Sequence, residues 1–289
     1  EGITAHALWA ADGTTTINGG TVKSAYAAIR QFLNGVEANN SLTVNAGAVI
    51  EGANKSIWMQ DPSKNANTGT LTVSKKASLN GDVYLTVTAG STEWPVEVSI
   101  AAAALGESKV LSSNVPAGYA VTNFDGVYSV EKLGGIGSEL TIVDGEYENF
   151  SIDMAEPVTI ETLTYKRTFY SGVWNALYVP FEIPVSALSD KYEIAYVNDI
   201  QALDKNEDGE TSLQDEEITI EYVKIKNGVL RANYPYVIKP KEDTYIDLEL
   251  VLNNAKLYGT SLEKQTTIEI STAHIKFTIG GTYNKAGRD

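Results

Sequence analysis

A strand-like segment ending in a small-residue corner recurs along the first hundred residues, and this repeat limits the fold more than any other feature. Its clearest copy spans 41–52, where apolar Leu42 and Val44 alternate with polar neighbours before Asn45 and Gly47. Copies at 15–22, 71–81 and, more faintly, from Val98 align Ile17, Val44, Val73 and Ile100 at steps of 27, 29 and 27. A second apolar segment between the copies aligns Ile29, Ile57 and Leu85, each 28 residues apart. A unit this short cannot bury its apolar face alone, so neighbouring units must stack. Two or three short strands per repeat is the arithmetic of a short right-handed parallel β-helix with pectate-lyase-like coils.

Stacking predicts that Asn18, Asn45 and Ser74 form one ladder, with Gly20 and Gly47 beside them at corners that need a permissive backbone. A row of amides can bind a ligand. Turn asparagines more often satisfy backbone groups from coil to coil, and that reading is preferred. Residues 24–35 also read as a helix, with Ser24 as N-cap and Gly35 just past the end; the repeat register favours a strand. Residues 61–70 form a polar loop leaving the stack.

After Ala101 to Ala104 the period fades. Residues 106–138 then read as short strands that cover the last edge of the stack, and the glycine-rich stretch 134–138 reads as a linker. From 139 onward strand-like runs come every 8–12 residues between turn signals, the density of an antiparallel β-sandwich. The expected organisation is all-β: a parallel β-helix with its end cover over 1–138, and a β-sandwich over 139–289 that reads as incomplete at its C-terminal end. Sixteen tyrosines against six phenylalanines, among many Thr and Val, suit half-buried pleated surfaces.

A net charge of −15, spread evenly over both halves, leaves no basic stripe for phosphates. That argues against nucleic acid and anionic membranes as partners. Cysteine is absent, which excludes disulfides, thiolate catalysis and cysteine metal sites. No run of 18 apolar residues is present to span a membrane as a helix.

In the second half, Arg167-Thr168-Phe169, the run from Trp174 to Phe181, Asn198-Asp199-Ile200, an Asp-Gly loop and the run from Ala232 to Lys241 follow in that order. This series, over roughly 165–241, resembles the C-terminal module of exported Bacteroides-type surface and adhesion proteins that carry N-terminal β-helical repeats. The resemblance implies export and display at the bacterial cell surface or outside the cell. It supplies no catalytic residues to carry over. Members of that family often continue beyond a Gly-Thr-Tyr like that at 281–283, which suggests that the chain is a fragment.

The sharpest chemical motif is the acidic loop that begins at Asp204. Asp204, Asn206 and Asp208 fall at positions 1, 3 and 5 of a calcium loop, with Gly209 at 6, the Glu210 carbonyl at 7 and Asp215 at 12. Glu216 is one residue late but could substitute. The departures are Thr211 at position 8, Asp in place of a bidentate Glu at 12, and strand-like flanks. Nine acids and only Lys205 lie between 199 and 221, so the loop either binds a structural Ca2+ or is a solvated acidic hairpin.

His6 and His274 are the only histidines and have no triad or zinc spacing. A polysaccharide lyase or glycosidase on a β-helix needs acids, or acids with a basic residue, on adjacent coils. Glu51, Lys75, Lys76 and Asp82 share no stacking position. Trp58, Trp94 and Trp174 could platform a sugar ring, although such residues more often pack in cores. The expected function is therefore a non-enzymatic adhesion or display scaffold whose partner is a host or neighbouring-cell surface protein or glycan. The alternative is a carbohydrate-binding module for glycan capture.

Overall fold

The computed structural model describes residues 5–11, 13–33, 40–61, 69–147, 149–204, 216–261, 264–271 and 276–283. The described chain is almost all β, with single 3₁₀ turns at Ala102–Ala104, Val185–Ala187 and Asp243–Tyr245. It divides into two compact units, Glu1–Gly134 with Asn149–Met154, and Gly135–Glu148 with Ala155–Asp289.

The first unit is a β-solenoid of about 5 turns. Each coil lays down up to three strands that pair in parallel with those of the next coil. The first face stacks His6–Ala10, Ala27–Phe32, the end of Ala48–Asp61, the end of Ser78–Val87, and Val110–Ser113. The second stacks Thr14–Ile17, Asn40–Val44, Gly69–Val73 and Val96–Ala101. The third stacks Gly20–Ser24 on the start of Ala48–Asp61, and that on the start of Ser78–Val87.

Alternation fixes which side chains enter. Asn40–Val44 alternates buried and half-buried residues, so Leu42 and Val44 face inward over Leu71 and Val73. Ile17, Val44, Val73 and Ile100 form one register column as the repeat predicts. Residues 27–32 are a strand, as the register favours, because the helix alternative would leave the first face without its second rung.

One alignment needs correction. Ile29 pairs with Ile57, but Ile57 pairs with Val83, and Leu85 pairs with Met59. The register shifts between Glu51 and Lys55 and again between Lys55 and Ile57, so six steps from Glu51 to Ile57 lie against three from Asn80 to Val83. A bulge of this kind re-aims neighbouring side chains while keeping the inward parity. Glycine is required at the corner beside it. A methyl group on Gly52 would lie 1.7 Å from the Lys55 carbonyl oxygen. Gly81 has φ +116°, and a methyl group there would lie 2.3 Å from the Gly52 oxygen.

The stack ends as its edge demands. In the fourth coil Ala102–Ala104 turns as a 3₁₀ helix where a third-face strand would lie, with Ala104 and Leu105 buried. Val127–Lys132 then pairs antiparallel with Val96–Ala101, Tyr119–Phe124 adds outside it, and Phe150–Asp153 closes that sheet. The predicted cover thus includes a strand from beyond the glycine-rich stretch.

The second unit contains a three-stranded sheet, Gly135–Val143, Val158–Thr168 and Asp247–Leu257, and a four-stranded sheet ordered Asn175–Leu177, Tyr236–Pro240, Tyr192–Asp204 and Glu216–Lys224. Two small antiparallel pairs accompany them, Ile183–Pro184 with Val229–Leu230 and Ile268–Ser271 with Lys276–Ile279. Gly135–Val143 pairs parallel with Val158–Thr168, where strand density alone leads one to expect antiparallel pairing throughout. Phe181 and Tyr165 are fully buried and meet edge to face, their ring centres 5.5 Å apart.

Candidate functional site

The outer side of the solenoid's first face carries a group in which rings and cations interleave. Register pairs Trp9 with Arg30, Arg30 with Trp58, and Trp58 with Tyr84, so the four stand in one column. They point outward because Ile29, Ile57 and Val83, their immediate neighbours, point into the core. The Arg30 guanidinium lies 4.6 Å from the Trp58 ring centre and 5.1 Å from those of Trp9 and Phe32. It also donates to Gln60 Oε1 at 2.8 Å.

Lys55, carried by the bulged corner, places its ammonium 4.3 Å from Tyr84, 4.8 Å from Tyr26 and 5.0 Å from Trp58, and donates to Tyr26 Oη at 3.1 Å. His6 lies edge-on or tilted to Trp9, Tyr26 and Trp58. Trp9 is 61% exposed, and the other rings and both cations are half-buried. Each cation over a ring contributes about 0.5–1 kcal/mol when exposed and about 2 when desolvated.

The electrostatics of this face run against those of the whole chain. Among the described residues neither Arg30 nor Lys55 forms an ion pair. Burial, then the Arg30 charge, and to a lesser extent Lys55, lower the His6 pKa from 6.5, against a backbone hydrogen bond to Ala27 that raises it. At neutral pH the imidazole is uncharged and the face presents two cations. Three polar atoms here, Arg30 Nε, Trp58 Nε1 and His6 Nδ1, are enclosed without a hydrogen-bond partner. Each such atom costs about 1–3 kcal/mol.

The sequence-predicted positions fall elsewhere or play structural parts. Asp204 and Glu216 oppose each other as the last paired residues of Tyr192–Asp204 and Glu216–Lys224. Asn206, Asp208, Glu210 and Asp215 lie outside the described residues, as do His274 and most of the 61–70 loop. Asn45 Nδ2 donates to Asn18 Oδ1 at 2.8 Å, and the Asn45 and Ser74 amides bond the preceding coil, so the ladder serves the stack. Glu51 pairs with Lys23 at 2.7 Å, and Asp82 Oδ1 accepts from the Lys109 amide at 2.9 Å. Lys76 lends its carbonyl to Gly47.

Trp58 belongs to the ring-and-cation face. Trp94 packs on the solenoid core and donates to the Val96 carbonyl at 2.7 Å. Trp174 stacks on Tyr222 at 5.3 Å.

The motif residues of the second unit hold its turns. Arg167 pairs with Asp144 at 2.8 Å, and Asp144 also accepts from the buried Tyr165 hydroxyl. Asn175 bonds the backbone of Tyr170 and Val173. Asn233, buried at φ +55°, donates to the Gly259 carbonyl.

Sequence reasoning missed Trp9, Tyr26, Arg30, Lys55 and Tyr84. The column steps are 21, 28 and 26 residues, so no single period finds it. An available signal is that two of the four, Arg30 and Trp58, directly follow the aligned core positions Ile29 and Ile57. No family model, curated protein or solved structure matches the chain.

Proposed function

We propose that the chain is a non-enzymatic adhesion module of an exported bacterial surface protein, and that the first face of its solenoid captures acidic glycans. The observation that carries this reading is the outward column of Trp9, Arg30, Trp58 and Tyr84 with Lys55 beside it. Sugar rings present apolar C–H faces to aromatic rings, and carboxylate or sulfate groups accept from guanidinium and ammonium donors. Arg30 and Lys55 each spend one donor on a neutral side chain and keep the rest. Neither cation has a carboxylate partner among the described residues, which leaves both open to an anion. The enclosed unpartnered atoms speak against a ladder shaped for stability alone.

Export rests on the resemblance of 165–241 to surface-protein modules. The second unit then serves as the display base, its two larger sheets packed as a sandwich where Phe169, just past Val158–Thr168, meets Tyr192 at the start of Tyr192–Asp204. A structural Ca2+ in the 204–216 loop rests on sequence spacing and would stiffen that hairpin.

A second reading has its own support. Arg30 fills the space between the Trp9 and Trp58 rings, which makes the column a rung-to-rung brace of a pure display scaffold. A glycan array of neutral, uronic and sulfated oligosaccharides separates the two. Capture of acidic glycans, weakened at least about tenfold by Trp9→Ala or Lys55→Ala, supports glycan binding. No retained glycan, with Arg30→Ala lowering only the melting temperature, leaves the brace.

A further inference from the structure

The strand Glu216–Lys224 forms one edge of the four-stranded sheet, and among the described residues no strand pairs with its outer side. It is nine residues long and alternates polar and apolar residues from Glu217 to Tyr222. Ile218, 40% exposed, and Ile220, 43% exposed, share a face with Tyr222, while Glu217, Thr219 and Glu221 take the other. Trp174 stacks on Tyr222 and extends the apolar strip. Monomeric proteins usually blunt such an edge with lysine, proline or a bulge; here the register shift lies on the inner partner, between Val197 and Asp199.

The backbone is set for pairing at the same residues. Ile225 directs its N–H inward to the Ile194 carbonyl. Alternation along the strand then turns the N–H and C=O groups of Glu216, Ile218, Ile220, Tyr222 and Lys224 outward.

We infer that this edge pairs antiparallel with the same strand of a second copy, about a two-fold axis at Ile220. The sequence is self-complementary about that point and not about its neighbours. Ile220 meets Ile220, Ile218 meets Tyr222, Thr219 meets Glu221, Glu217 meets Val223, and Glu216 meets Lys224. No like charges oppose, and apolar residues fall opposite apolar residues across the hydrogen-bonded positions. An axis at Tyr222 would instead set Ile220 against Lys224, and one at Ile218 would set Ile220 against Glu216. Charge favours the same geometry: the strand begins with two glutamates and ends at Lys224, with Lys226 just beyond, so antiparallel pairing lays the acidic end on the basic end. An isologous contact uses one patch twice, which is the form most homodimers take. Asp247–Leu257, an edge of the three-stranded sheet, has Asp247 and Glu249 exposed near one end and no such symmetry.

Sedimentation velocity of the full chain over a wide concentration range tests the proposal, with Ile220→Lys as the edge variant and Val229→Lys as an exposed control. A monomer–dimer equilibrium weakened at least about tenfold by Ile220→Lys and unchanged by Val229→Lys is expected. Because the chain has no cysteine, single cysteines read the register directly. Opposed hydrogen-bonded residues sit about 5.5 Å apart at Cα, within disulfide reach. Ile220→Cys should therefore cross-link to itself, and Ile218→Cys to Tyr222→Cys when the two are mixed. A monomer at every concentration, a dimer indifferent to Ile220→Lys, or Ile218→Cys linking mainly to itself overturns the inference.

Discussion

The two units solve the same problem in opposite ways. In the solenoid nearly every core residue sits over its counterpart one coil away, as Leu42 over Leu71 and Leu71 over Val98. Stability there is close to a sum of rungs and of contacts between neighbours. In the second unit the sheets join segments far apart in sequence, as Tyr165 with Leu250, and specific ties hold them: Asp144 between Tyr165 and Arg167, and Asn233 on Gly259. A periodic stack tolerates the loss of one contact and fails at its corners. An aperiodic sheet packing fails wherever a single tie is cut.

The largest test of that contrast is Gly52→Ala. The added methyl would meet the Lys55 carbonyl oxygen at 1.7 Å and the Ala28 amide at 2.9 Å, so the corner must open. A loss above about 4 kcal/mol, in the range reserved for drastic defects, is expected in the solenoid's denaturant transition with the second unit's unchanged. A wild-type transition would show that the corner can relax.

Phe181→Ala empties a fully buried site in the second unit and should cost about 3–5 kcal/mol. Both denaturation profiles can be read on one protein, and equal shifts in the two would end the claim that the units respond separately.

Next comes Tyr165→Phe, which keeps the packing and removes only the donor to Asp144. Burial and the Asp144 carboxylate hold that hydroxyl well above its ordinary pKa, so it donates at any working pH. A loss of about 1–3 kcal/mol is expected, measured by urea denaturation; less than a few tenths would show that the tie carries little.

The smallest effect belongs to the ring-and-cation face. Arg30→Gln should cost the solenoid about 1–2 kcal/mol. It should also raise the His6 pKa, followed by NMR titration, because Arg30 is the largest charge lowering it. The sign for stability follows: His6 is held neutral in the folded state. Its contribution is therefore complete above its unfolded value near 6.5 and is lost as pH falls from there toward its lower folded value. A His6 titration unmoved by Arg30→Gln would show that burial alone sets it.

Part of this was legible beforehand. The column Ile17, Val44, Val73, Ile100 was readable because second-face rungs differ in length by only two residues. The strand at 27–32 was readable through the same register despite a good helix cap. A constant step of 28 sets Leu85 against Ile57 because it ignores the three extra residues between Glu51 and Ile57, and the same irregularity hides Tyr84 from Trp58. Trp9 lies a short step of 21 residues from Arg30, outside any period of 27–29. The motifs of the second unit were visible as a series, yet nothing in Asn175 or Asn233 by itself says that the side chain ties a turn.

By itself the sequence determined that the first half stacks and which residues face inward, since in a stacked chain a neighbour in space is a near-constant offset in sequence. Tertiary structure alone decided which outward residues share a column, because the extra residues between Glu51 and Ile57 shift the register of the rung beyond them. It also decided the sheet order of the second unit, where partners more than eighty residues apart, such as Tyr165 and Leu250, leave no period to read.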